Sequence, residues 1–478
     1  MLAGAGMTTV DRLAILYLAL PVAIFFLTWF KPAYAIPFGI AALAGLPLLL
    51  PLTPSRLSRR TFVLALVLAL SWTALSGASH FFYAGEALNW PIRDAALRDL
   101  VLLDSPVTYR AEEGTATILR APIAFYMVPA VLGKIIGVQQ VFVLLYLWTA
   151  LGVLIFLLQV MEDQRDWKPL ILTAAVVVLF SGMDLLGPQE MIPDPATHQV
   201  WQAFFYQSTY NANLLIGFPN HAVPGWLATA LVYRCRDDPR FLRIAAWVGA
   251  LTLLWAPLVS IGLLPFLAAL AWRHLRAGSW RPLLSAANLL AAPLVALPSA
   301  LYLTVAAGTI ATVGVSGGAL PPDWQDFLPI YARFMIVEFG ALAVVLLYVH
   351  RDGIEPVSFG IAIACLLLLP WFHFGPNNDL VTRGSIPAFT ILMFTVIDGW
   401  ARPARVAGRG LIVTSLLVVG AIMPVARMGL VFARPVWAPD LQHSLYEVSK
   451  GVSPNYLADV AEGSLLGRLL KDAAPPVR

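Results

Sequence analysis

The sequence predicts an all-α fold: a polytopic transmembrane helical bundle with about thirteen spans. Three observations predict it. The 478-residue chain is 59% hydrophobic and only 12% charged, whereas a soluble chain of this size carries about 25% charged residues. Its apolar residues come in long blocks with no polar face, unlike the striped helices of a soluble domain. Its basic residues gather in short stretches between alternate blocks, the pattern left by membrane topology. No alternating run of strand length suggests a barrel. The formal net charge of +4 follows from those basic loops, so nucleic acid is not an expected partner.

The spans are expected at 12–30, 33–52, 61–79, 140–160, 169–187, 219–235, 241–255, 258–272, 283–306, 331–349, 357–372, 385–401 and 411–428. Pro257 lacks an N–H, so a break is expected inside "LLWAPLV". The first block is read as an uncleaved span, because Arg12 is balanced by Asp11 and the block is long. The arginine-bearing stretches "SRLSRR" (Ser55–Arg60), "RCRDDPR" (Arg234–Arg240), "RHLRAGSWR" (Arg273–Arg281) and "ARPARVAGR" (Ala401–Arg409) then fall on one side. "EDQRDWK" (Glu162–Lys168) and "HRDGIEP" (His350–Pro356) join them. That side is cytoplasmic by the positive-inside rule, which places the N-terminus inside and a tail over 429–478 outside. Residues 1–428 form the transmembrane module, with an exoplasmic loop over 80–139. Parity makes "APIAFYMVPAVLGKIIG" (Ala121–Gly137) an interfacial helix rather than a crossing. Cys235 and Cys365 read as apolar packing residues, not a disulfide or metal site.

The exoplasmic side collects the unusual polar residues. The stretch from Glu86 to Glu113 contains "NWPIRDAALRDL", in which Asn89 can cap a helix and Pro91 is tolerated in its first turn. Asp94 and Arg98 share a face at i, i+4, opposite a stripe of Ile92, Ala96, Leu100 and Leu103. This describes an amphipathic helix lying parallel to the membrane. The same pattern also fits a plain interfacial helix with solvated charges. The stretch from Pro193 to Trp226 supplies Gln207, Asn220 and His221 amid aromatics, a composition suited to sugar hydroxyls and rings, and equally to an interfacial belt. "WFHFGPNNDLVTRGSIPAF" places His373, Asn378, Asp379 and Arg383 at the mouth of a span. Arg383 works against the loop-charge pattern, which marks it as functional, and arginine grips phosphate through paired hydrogen bonds. The competing reading is an Asp379–Arg383 ion pair within one helix. Asp323 and Asp326 lie in a turn-rich outer loop that reads as a plain connection.

No metal-spaced His/Cys cluster, phosphate loop, nucleophile elbow or dinucleotide fingerprint occurs. No cofactor is read from the motifs, and a divalent cation is left open. An activated donor on the outer face would have to be lipid-linked.

A multi-span chain with carboxylates on a helix in its first large outer loop resembles the GT-C superfamily of integral membrane glycosyltransferases. "NWPIRDAALRDL", "FPNHAVPGWL" and "NNDLVTRGSIPA" resemble segments of its bacterial members and relatives. The resemblance implies transfer of a sugar from a polyprenyl-phosphate or polyprenyl-diphosphate donor to a glycan or lipid acceptor, in a bacterial inner membrane. It also implies an acidic base in the first outer loop. Relatives carry an Asp before the Trp, where this chain has Asn89. The base role therefore falls to Asp94, with Asp99 and Glu86 behind it. Arg383 would hold the leaving phosphate and Asn220, His221 and Gln207 would orient the sugar. The competing functions are a transporter or flippase, whose polar groups lie at mid-membrane, and a non-catalytic envelope-assembly protein. Glu338 and Asp184 are the exceptions to otherwise uncharged spans.

Overall fold

The structure is a computed structural model, and it describes residues 6–49, 55, 57–82, 90–110, 116–162, 164–187, 210–306, 312–313, 324–350, 354–374, 378–400, 409–433, 438–449, 456–461 and 463–472. It is 78% helical. The first part of the chain forms α1 (Thr9–Trp29), α2 (Pro32–Leu43), α3 (Arg59–Ala74) and α4 (Trp90–Leu102). A hairpin of β1 (Thr108–Arg110) and β2 (Ala116–Leu119) follows, then α5 (Ala124–Ile136), α6 (Val141–Met161) and α7 (Trp167–Leu179). The middle holds α8 (Asn211–Gly217), α9 (Pro219–Arg234), α10 (Pro239–Leu242), α11 (Ala245–Trp255), α12 (Pro257–Arg276) and α13 (Ala292–Thr304). The last part holds β3 (Thr312–Val313), α14 (Trp324–Met335), α15 (Ala341–His350), α16 (Pro356–Leu368), β4 (His373–Phe374), α17 (Asp379–Gly384), α18 (Ile386–Trp400) and α19 (Arg409–Ala433). The tail adds α20 (Leu445–Val448), β5 (Leu457–Asp459) and α21 (Leu465–Leu469).

Among the described residues, seven helical stretches are long and apolar enough to cross a membrane: Thr9–Trp29, Val138–Met161, Pro257–Arg276, Ala287–Thr304, Leu328–Val349, Asp379–Trp400 and Gly410–Ala433. A bilayer core of about 30 Å needs about 20 helical residues. Several expected spans fall short of that. α2 has 12 residues and α11 has 11. Helix length therefore supports fewer full crossings than the thirteen expected. α5, with 13 residues, is likewise short of that length. The break at Pro257 is present: α11 ends at Trp255, and Ala256 alone separates it from α12. Trp255 donates its indole N–H to the Leu18 carbonyl, half-way along α1, so α11 ends deep inside the bundle. Tyr17, Trp148 and Trp255 stack beside it. Outward faces carry exposed aliphatic residues such as Ile40, Leu297, Val344 and Leu411, as lipid-facing helices do.

Among the described residues, four of the basic stretches meet at one end. Thr8 caps α1, and its N–H donates to Asp11 Oδ2 at 3.0 Å. Arg234, at the end of α9, bonds Asp11 at 3.2 Å and Glu162 at 2.6 Å. Thr61 donates to the Gln164 carbonyl at 2.8 Å, the Arg236 carbonyl lies 3.0 Å from His274, and Arg273 pairs with Asp237 at 2.7 Å. Four of the six basic stretches thus touch one another, as alternation demands.

The opposite end is built differently from the expected solvated loop and separate tail. β5 adds to the hairpin, giving the antiparallel order β1-β2-β5 with Thr117 opposite Asp459. The Lys31 N–H donates to the Leu469 carbonyl and the Lys471 N–H to the Trp29 carbonyl, each at 3.0 Å. The tail is therefore strapped across the end of the bundle. α4 is not an exposed surface helix: Trp90, Arg93, Asp94, Leu97, Asp99 and Leu100 are all buried, because α5 packs on one side and the tail on another.

Candidate functional site

α4 enters the site through its first turns. Asp94 Oδ2 lies 2.9 Å from His80 Nε2, and both side chains are buried. His80 sits just past α3 with φ 59°, the left-handed region that a non-glycine residue enters only when held there. Its Nδ1 has no partner among the described residues. One residue before Asp94, the buried Arg93 guanidinium donates to the Gly217 carbonyl and lies 5.2 Å from the centres of both the Trp90 and Phe218 rings. The expected Asp94–Arg98 pair does not form, because Arg98 turns to Asp99 and the tail.

Phe218 is the elbow between α8 and α9. Gly217 ends one helix, and Pro219, with its φ preset and its N–H missing, starts the next. Asn220 and His221 follow in the first turn of α9, buried, with Asn220 Nδ2 and His221 Nε2 3.2 Å apart. Asn220 Oδ1 and His221 Nδ1 have no partner among the described residues.

α17 brings the third segment. Asn378 adopts φ 49° ahead of the helix, and its side-chain oxygen accepts from the Phe374 N–H at 3.2 Å. Asp379 and Arg383 form the i, i+4 ion pair at 2.9 Å, both partly exposed. The Arg383 guanidinium also lies 5.9 Å from the centre of the Phe218 ring. Two cations from distant parts of the chain therefore share one aromatic ring, and both act electrostatically on His221. α17 is seated against α12, where a Cβ on Gly262 would lie 2.0 Å from the Gly384 carbonyl oxygen.

Asp94, Asn220, His221, Asp379 and Arg383 thus belong to one region, and Asn378 begins its third wall. Asp99 is placed elsewhere. Its Oδ1 accepts from Arg98 at 2.6 Å, and its Oδ2 accepts from Tyr109 and from the Leu445 N–H, each at 2.8 Å. It docks the start of α20, while Arg98 holds the Leu441 and Gln442 carbonyls. Burial pushes the Asp99 carboxyl above its usual range, against the lowering effect of those donors. His373 enters through its backbone, as part of β4 paired with Val313 of β3. Glu86, Asn89 and Gln207 lie outside the described residues. Among the described residues, no three His, Cys, Asp or Glu side chains are grouped to hold a metal ion.

Sequence reasoning passed over His80, Arg93 and Phe218. The signal for His80 was a lone histidine ending an apolar block. Arg93 looked like one charge among many, and Phe218 like one more belt aromatic. A second buried polar group surrounds Tyr210, at the other end of α8. Asp184, Glu338 and Arg427 act on it, and its hydroxyl has no partner among the described residues. Glu338 lies in a π-helical turn over Ile336–Gly340, an irregularity that often marks function in a span. A separate apolar groove lies between α2 with the residues just after it, Arg243 at the end of α10, and the segment over 281–294 that leads into α13. The chain matches no protein-family model, no curated protein and no solved structure.

Proposed function

We propose that this chain is a membrane glycosyltransferase that moves a sugar from a polyprenyl-(di)phosphate donor to an acceptor hydroxyl, in assembly of a bacterial envelope glycan or glycolipid. The observation that carries the reading is the Phe218 ring shared by Arg93 and Arg383, with Arg93 adjacent in sequence to Asp94 of a buried carboxylate–imidazole pair. Two guanidiniums suit the phosphate of a lipid-linked donor, because each can donate two hydrogen bonds to its oxygens. In this reading the acceptor oxygen attacks the anomeric carbon and its proton passes to the Asp94–His80 pair. The bond from the anomeric carbon to the phosphate oxygen breaks, and its electron pair leaves with the polyprenyl phosphate. Arg93 and Arg383 stabilise the charge that builds there. Asn220 and His221 offer hydrogen bonds to the sugar. The α4 end then faces the exoplasm, with the N-terminus cytoplasmic and the tail outside, in the bacterial inner membrane.

The test is binding of a polyprenyl monophosphate, the leaving group, to the purified protein. Arg93→Gln and Arg383→Gln are each expected to weaken it by about tenfold or more, the effect of losing a charge-assisted bond. Wild-type affinity in both variants would remove the reading.

A second reading is a flippase for a lipid-linked substrate. The buried Asp184, Glu338 and Arg427 favour it, since ionisable groups within spans mark transport paths. Movement of a labelled lipid-linked sugar across proteoliposomes, without transfer to any acceptor, would select it.

A further inference from the structure

The groove between α2, Arg243 at the end of α10 and the segment over 281–294 that leads into α13 has a volume of about 790 Å³, within the range of sites that hold a small ligand. Its walls are apolar, with Ile40, Leu48, Leu290 and Leu294 among them, and its polar lining is Arg243, Arg281 and Ser285. Both arginines are exposed, and neither side chain makes a hydrogen bond or ion pair among the described residues. The nearby acids are committed elsewhere. Asp237 pairs with Arg273 at 2.7 Å, and Asp238 with Arg240 at 2.9 Å and the Met7 N–H at 2.6 Å. Two uncompensated cations therefore mark the mouth of an apolar slot.

The slot is also built in advance. Asn288 donates to the Leu242 carbonyl at 2.7 Å and the Leu283 carbonyl at 3.2 Å, and accepts from the Ala246 N–H at 3.1 Å. The Ser285 hydroxyl donates to the Arg243 carbonyl. These bonds fix the two arginine-bearing segments to each other. The wall itself is a π-helical turn over Ala287–Ala291, whose alanines leave the depth open. The arginines belong to the basic end of the bundle, and Leu290 and Leu294 follow along the helix away from it.

We propose that this groove binds an anionic phospholipid, with Arg243 and Arg281 on its phosphate and one acyl chain along Ile40, Leu290 and Leu294. Charge decides the occupant. A slot for neutral lipid has no use for two unpaired guanidiniums at headgroup level, whereas basic pockets between spans hold acidic headgroups. The site lies at the end of the bundle opposite Arg93 and Arg383, and it is independent of the transferase reading.

The experiment is native mass spectrometry and thermal unfolding of the full chain in detergent, with phosphatidylglycerol, phosphatidylcholine or inorganic phosphate added. Phosphatidylglycerol is expected to be retained over phosphatidylcholine by about tenfold or more, and to raise the melting temperature. The R243Q/R281Q double variant, at exposed positions, is expected to bind the two lipids equally. Ala286→Trp, also exposed, leaves both arginines in place but fills the slot, and is expected to lose phosphatidylglycerol. Equal retention of the two lipids by the wild-type protein overturns the proposal. So does undiminished phosphatidylglycerol binding by the double variant. Protection by inorganic phosphate equal to that of phosphatidylglycerol also overturns it, by showing a free-anion site without a lipid.

Discussion

Asp94 Oδ2 lies 2.9 Å from His80 Nε2, joining the first turns of α4 to the turn segment that follows α3. With the Nε2 proton given to Asp94, the lone pair of His80 Nδ1 is left to accept another. If this pair takes the acceptor proton, Asp94→Asn and His80→Asn each lower sugar transfer by about a hundredfold or more. Asn is the right replacement at position 80, because it tolerates the left-handed backbone there. Polyprenyl-phosphate binding should stay unchanged in both variants. Full transfer by either one sinks the assignment of that residue.

Asp99 makes folding stability depend on pH. Burial raises its pKa above the ordinary 3.8, so the folded protein holds a proton that the unfolded chain would release. Its contribution to stability is therefore fully present at and below that ordinary value and is lost as pH rises through the raised one. Thermal unfolding in one detergent over that window should show a falling melting temperature. Asp99→Asn should flatten the fall. The same pH profile in Asp99→Asn and wild type would assign it to another group.

The charges at the basic end are a stability matter. Arg234 is buried against Asp11 and Glu162. Arg234→Gln leaves two carboxylates buried without their cation and should cost about 3–5 kcal/mol. Replacing all three residues by apolar ones of similar volume should cost far less, since the desolvation penalty goes with them. Thermal unfolding in one detergent compares the variants, and an unchanged melting temperature for Arg234→Gln would falsify the triad's role.

Gly262 sets where α17 sits. Its ideal Cβ would lie 2.0 Å from the Gly384 carbonyl oxygen, so Gly262→Ala must push the helices apart. The expected cost is about 1–3 kcal/mol. If Arg383 holds the donor phosphate as proposed, polyprenyl-monophosphate binding should weaken with it. Gly360→Ala, where a Cβ meets open space, is the control.

The break at Pro257 was legible because proline acts on its own backbone. So was the i, i+4 pair of Asp379 and Arg383, which needs only one helix. The pairing of Asp94 with Arg98 was read by the same rule and does not form. Arg98 finds Asp99 and two carbonyls of a segment more than three hundred residues away, and local spacing carries no trace of them. His80 and Arg93 stayed hidden for the same reason: their partners, Asp94, Gly217 and Phe218, come from other elements.

The sequence by itself determined that the chain is helical and built for a membrane, and that its basic loops gather at one end. Those properties depend on composition, block length and charge, which are sums over neighbouring residues. Only the tertiary structure decided which charges meet. It placed Arg93 and Arg383 on one ring, gave Asp99 to the tail and left Arg243 and Arg281, beside an apolar groove, without a partner among the described residues. Contacts between distant segments are set by packing of whole helices, and no stretch of sequence contains both partners.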